Sequence, residues 1–239
     1  SLFVRAAFFF MFLSTLALWA IGPLIASGKA GSAFYYATIQ FFLHFQFNGW
    51  FIFAGLGILL RLLERSGMRP DLKATRQFFW LLVVSCLLTY VLAVTWSTPI
   101  PLLFWVNSIG VIIQLIALIL LAKLILPLYK GAKRAIGPVG RQLLGVAMIA
   151  FGIKVIIQAA VVIPHIATVA YTIRNFVIGF IHLILLGFMT HLLLGAAIEK
   201  GWLDPTDRLT KIGLVLFFIG FIATESLLFL QGAMFWGAF

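Results

Sequence analysis

Charge is scarce in this sequence, and acid is scarcest. Only 10% of the 239 residues are Asp, Glu, Lys or Arg, and six acids stand against 17 bases, a formal charge of +11. So few charges cannot cover the surface of a water-soluble domain; with 64% hydrophobic residues the composition is that of an integral membrane protein. Cysteine is nearly absent. Cys86 stands alone, which excludes an intrachain disulfide and any CxxC metal or redox motif. A phosphate-cradling Gly-rich loop, an HExxH pair and a serine-nucleophile arrangement are all missing, which disfavours soluble-type hydrolysis and nucleotide chemistry. No polar stretch has the length of a soluble domain, so residues 1–239 read as a single transmembrane helical domain. Ser1 is not an initiator methionine and the first apolar run has no small-residue cleavage site: either the start has been removed or the chain belongs to a longer one.

What is present is a series of apolar runs of about 20 residues, the length that crosses a bilayer as helix. They predict an all-α, polytopic helix bundle of seven spans: Ala6 to Ala26, Phe34 to Leu60, Phe78 to Trp96, Leu102 to Leu126, Leu143 to Ile163, Ile173 to Ile198 and Ile212 to Trp236. Gly22 and Pro23 are expected to bend or end the first span, Pro99 and Pro101 to lead into the fourth, and Pro164 to close the fifth. The basic residues lie between the runs, which points to the lipid bilayer rather than to nucleic acid as the partner. Arg5, Arg61, Arg65, Arg69, Lys73, Arg76, Lys130, Lys133, Arg134, Arg141, Lys200, Arg208 and Lys211 fall on one side, against Lys29 and Arg174 on the other. The positive-inside rule then puts the N-terminus in the cytoplasm and the C-terminus outside.

Against this apolar background two stretches stand out. Leu43 to Leu56 carries His44, then Gly49 and Trp50; Ile181 to Leu194 carries His182, then Gly187 and Phe188, at the same spacing. Both spans run from outside to inside, and both histidines lie about 15 Å below the outer interface at a rise of 1.5 Å per residue. Gln40, His44 and Asn48 are four residues apart and form one polar helix face, which must turn toward the bundle interior or a wet cavity. One reading is hydrogen-bonding glue between helices. The other is that His44 and His182 are axial ligands of a haem iron, with Gly49, Gly55, Gly57, Gly179, Gly187 and Gly195 giving the ring room. Trp50, near mid-span, is then a candidate to pack against the ring.

The remaining polar residues are read in the same way. His182 and His191 are nine residues apart, about 900° of helical rotation, and are expected on opposite faces of a straight helix. His191 then reads as a hydrogen-bonding core histidine or a ligand to a second group, and His165 as an interfacial residue. Lys154 and Glu225, charged and near mid-span, suggest either a mutual pair or, with Gln40, a proton path. Ser85, Thr89, Tyr90, Asn107, Ser108 and Gln114 either line a shared cavity or bond to neighbouring backbone.

At LHFQFNGWFIFAGL and at NFVIGFIHLILLGF, Asn175 to Phe188, the chain resembles a family of bacterial polytopic membrane proteins that in turn resemble subunit I of haem-copper oxidases and nitric oxide reductases. The resemblance implies a bacterial inner (cytoplasmic) membrane location, a low-spin haem b held by His44 and His182, electron transfer, and either other membrane subunits or a quinone or cytochrome donor as partners. It departs from that superfamily in having no HPEV-type helix and no paired histidines, so no copper site is expected. Two other functions stay open: a proton- or solute-conducting transporter or channel using Gln40, His44, Asn48, Lys154 and Glu225, and a structural accessory subunit of a membrane complex. A retinal protein is set aside, because the middle of the seventh span holds Glu225 and no lysine.

Overall fold

The computed structural model describes residues 1–95 and 100–238, without the side chains of residues 129–134. Among the described residues every element is helical, and seven helices are long and apolar enough to cross a membrane. Span one is Leu2–Ala26, span two Ala33–Arg65, span three Leu72–Thr95, span four Pro101–Leu128, span five Pro138–Ala160, span six Arg174–Glu199 and span seven Arg208–Gly237. The expected boundaries at Trp96 and Pro99 lie outside the described residues. Pro23 sits inside the last turn of span one rather than ending it, and Pro164 opens a short helix, Pro164–Thr172, between spans five and six.

The inner turns are built alike. Span two ends with Gly67 at φ +78, where Met68 N–H donates to the Leu63 carbonyl (3.0 Å); span six ends with Gly201 at φ +70, where Trp202 N–H donates to the Ala197 carbonyl (2.9 Å). Glycine takes this left-handed cap without a side-chain clash, and the bonds satisfy carbonyls that the helix end leaves open. The next span then starts on an aspartate. Asp71 accepts from Ala74 N–H at 2.7 Å, and Asp207 from Thr210 N–H at 2.9 Å. The bond from the Thr210 backbone holds the Asp207 carboxyl below its ordinary range. That cap is therefore complete at neutral pH and is lost only as pH falls through the lowered value.

Spans two and six form the centre. Of the most apolar stretch of each span, 56% is buried in span two and only 11% in span seven, so span seven rides on the periphery. Glycine sets the central approach: a Cβ on Gly55 of span two would sit 2.6 Å from Phe188 Cε1 of span six. Span one packs on span two, where a Cβ on Gly49 would meet Phe10 at 2.7 Å. Spans five and seven flank span six, and a Cβ on Gly187 would meet Ala150 and Phe221, each at 2.9 Å. Phe3, Phe53, Phe78 and Phe79 interlock in the inner half of spans one, two and three, with ring centroids 5.1 to 6.1 Å apart.

Both central spans are interrupted by π-helical turns, Phe45–Phe51 in span two and Leu183–Thr190 in span six, each beginning directly after its histidine. A π turn closes i→i+5 bonds and so takes in one residue more than an α turn. This overturns the expectation that His182 and His191 face opposite ways. One extra residue sets the winding back by about 100°, leaving the two about 80° apart rather than 180°. Both in fact meet span seven: His182 faces Glu225, and His191 lies against Phe217, Phe218 and Phe221.

These correspondences extend over spans one to three and five to seven. In each triplet the middle span carries a histidine, a π turn and a glycine that receives the preceding span, then a glycine-capped inner turn and an aspartate-capped third span. The copies are four spans apart, an even number, so they run in the same direction through the bilayer, as in parallel-repeat transporters. The close packing at Gly55 makes a prediction. Gly55→Leu overpacks the centre and should cost about 1–3 kcal/mol in an unfolding titration. Gly152→Leu, at a site with nothing within 4 Å of an added Cβ, should leave the midpoint unchanged.

Candidate functional site

His44 leaves the first α-helical stretch of span two pointing at span three. Its Nε2–H donates to the Cys86 carbonyl at 2.8 Å, and Asn48, one turn on, offers its amide N–H to Nδ1 at 3.5 Å. The tautomer is thereby set, with the proton on Nε2 and the lone pair on Nδ1. The Tyr90 ring lies 5.7 Å from the imidazole, and its hydroxyl donates to the Ala37 carbonyl at 3.3 Å. Tyr90 also floors a groove of about 260 Å³ between the outer halves of spans one, two and three, lined by Leu16, Ala17, Phe34, Thr38 and Phe41.

Lys154 enters the same layer from span five and is 1% exposed. Its ammonium donates to the Gln158 side-chain oxygen at 2.6 Å and sits 5.5 Å from the centre of the Phe180 ring. The ammonium has three donors, and one neutral amide does not satisfy them. On spans two, three and four other buried polar atoms have no hydrogen-bond partner: Asn48 Oδ1, Ser85 Oγ and Gln114 Oε1. Thr89 and Ser108 bond back to their own helices, and Asn107 reaches the Val161 carbonyl at 3.5 Å. Gln40 is half-buried on the same span as His44.

His182 and Glu225 form a separate pair on the flank of the bundle. His182 Nδ1 is 3.8 Å from Glu225 Oε1, beyond hydrogen-bond range, and both carboxylate oxygens are buried without a partner. Lys154 and Glu225 thus do not pair with each other: Lys154 bonds to Gln158, and Glu225 faces His182. His191 has a structural duty: its Nδ1–H donates to the Leu186 carbonyl and Thr190 Oγ1–H to the Leu185 carbonyl, both at 2.8 Å and both five residues back. These side chains supplement the loosened backbone bonding of the π turn. His191 is thus the hydrogen-bonding core histidine that its place in the sequence suggested, and its partner, a carbonyl five residues back, comes from the extra residue in the winding. His165 sits on the short outer helix, 6.4 Å from the Trp236 ring.

The two histidines singled out by their repeated pattern therefore face different spans, His44 toward span three and His182 toward span seven. A haem b between them would need a free imidazole nitrogen and room beside the glycines. The Nε2 of His44 is spent on a carbonyl, and Trp50 stacks on Phe51 at 4.8 Å. The glycines offer no slot: Phe10 closes Gly49, Phe188 closes Gly55, Val4 closes Gly57, Phe229 closes Gly179, Ala150 and Phe221 close Gly187, and Leu144 closes Gly195. Among the described residues no three His, Cys, Asp or Glu side chains converge as metal donors. The arrangement does not fit a bis-histidine haem.

A buried ammonium without a counter-charge costs stability, which a structural role would not repay. The double substitution Lys154→Met with Gln158→Leu removes the charge and its amide together. It should raise the unfolding midpoint or leave it unchanged, by about 0–4 kcal/mol; a clear loss of stability would show that the ammonium is part of the packing.

In comparisons with family models, curated proteins and solved structures nothing matches this chain, so its functional reading rests on the geometry of its own residues.

Proposed function

We propose that the chain is a membrane transporter that moves protons, or a solute coupled to protons, through the Lys154–His44 layer. The observation that carries this reading is the ammonium of Lys154, 1% exposed at membrane depth and bonded to a neutral amide. Ionisable groups held in such a position are expensive, and pathways are where they are retained. Three further features support it. The polar groups concentrate in the outer half of the bundle, beside a groove floored by Tyr90, while the inner half is closed by Phe3, Phe53 and Phe78. The layer lies between two parallel triplets, as transporter sites do, and both central helices carry π turns beside it, which recur at functional sites.

In this reading Lys154 takes up the proton as ammonium and releases it as amine, while Asn48 and the Cys86 carbonyl hold the His44 ring in place. The electron-transfer reading implied by resemblance has no such support in the side chains. Recording a reduced-minus-oxidised spectrum of the purified protein separates the two, since a haem α-band would favour it.

The transport reading is tested in liposomes loaded with a pH-sensitive dye. A pH step should be dissipated faster with the protein than without it. Lys154→Met should slow that component about tenfold or more, whereas Glu225→Gln, on the flank, should leave it within about twofold of the parent. Protein-independent dissipation, or full activity in Lys154→Met, would sink the proposal.

A further inference from the structure

A second groove lies at the inner leaflet, away from the Lys154 layer. Its volume is about 530 Å³, and it is lined by Lys73, Arg76, Gln77, Trp80, Val84 and, from span four, Ile113. The span-three residues are spaced i, i+3, i+4, i+7 and i+11, so one face of the helix forms one wall. Lys73 and Arg76 stand in the first turns of span three, on the side where basic residues collect. Neither makes an ion pair among the described residues, and the neighbouring acid, Asp71, is engaged by the Ala74 N–H.

From those cations the wall turns apolar. Lys73 to Val84 is eleven residues, about 16 Å of helix, or about half of a 30 Å hydrocarbon core. The groove therefore joins two unpaired cations at headgroup height to an apolar channel that ends near the bilayer midplane. Trp80, 56% exposed, stands between them, where an indole bridges headgroup and chain.

We infer that this groove is a binding site for an anionic phospholipid of the inner leaflet, with Lys73 and Arg76 on its phosphate and one acyl chain along Trp80, Val84 and Ile113. Charge complementarity sets the headgroup, and the length of the apolar wall sets the chain. A soluble phosphate would use only the upper end of the groove. An acidic protein segment would have to thread its backbone into hydrocarbon to use the lower end. The inference is independent of any transport role.

The test uses the full chain in phosphatidylcholine nanodiscs doped with phosphatidylglycerol, with retained lipid counted by native mass spectrometry. The parent should retain phosphatidylglycerol in preference to phosphatidylcholine. Each cation near a membrane surface contributes about fivefold, so K73Q/R76Q should lose about 30-fold of that preference. V84W, which fills the channel without changing charge, should also lower retention. R208Q/K211Q removes the same charge at the start of span seven and should retain lipid like the parent. The exposed positions of Lys73, Arg76 and Val84 keep folding intact, checked by an unchanged melt in pure phosphatidylcholine. Equal loss in both charge doubles would reduce the effect to surface electrostatics and overturn the site. So would competition by glycerol phosphate as effective as by the lipid, displacement by polyglutamate, or retention unaffected in V84W.

Discussion

The bundle depends on how closely spans two and six approach. In hydrocarbon no hydrophobic force pulls helices together, so association relies on packing, and packing depends on small residues that let side chains reach a neighbour's backbone. Gly55 receives Phe188, Gly49 receives Phe10, and Gly187 receives Ala150 and Phe221. Each contact joins a different pair of spans, and all lie on the two central helices. The glycines that offered room for a cofactor in the sequence are the positions where neighbouring spans fill the space themselves.

The same repetition governs the polar groups. A feature copied between parallel triplets keeps its relation to the next span in its own triplet. His44 therefore looks at span three and His182 at span seven, and the likeness that suggested a pair is what turns the two rings apart. The copies then diverge in chemistry. The first has its imidazole held by Asn48 and the Cys86 carbonyl; the second has a carboxylate, Glu225, just out of hydrogen-bond reach. The enclosed polar residues come from both halves, His44 from span two and Lys154 from span five, whereas the outlying pair of His182 and Glu225 belongs to the second half alone, beside a lightly packed helix.

The seven spans and their helical class were legible because bilayer thickness imposes a length that composition reveals directly. Span ends were less so: Pro23 continues its helix and Pro164 begins one, since a proline within the last turn or at the first position removes little bonding. His44, Asn48 and Lys154 were visible as polar residues within apolar runs. Partners one turn along the same helix, Asn48 for His44 and Gln158 for Lys154, follow from spacing. Partners on other spans were not visible: whether Lys154 meets Glu225 or Phe180 depends on how the helices are rotated, and in span six that rotation includes a π turn that no residue pattern announces. His191 illustrates the point: with regular winding it faces away from His182, and one additional residue brings both to the same neighbour.

The surplus residue in each central span has a mechanical meaning. A π turn is a dislocation in an otherwise regular screw, one residue added to the winding. Were it to shift by one residue past a side chain, that side chain would turn by about 100° while both ends of the helix stayed where they are. Spans two and six, pinned at their inner ends by glycine caps and at their middles by aromatic rings, are held against tilting. Twist remains the softer coordinate, and the histidine beside each dislocation is the group it would turn first.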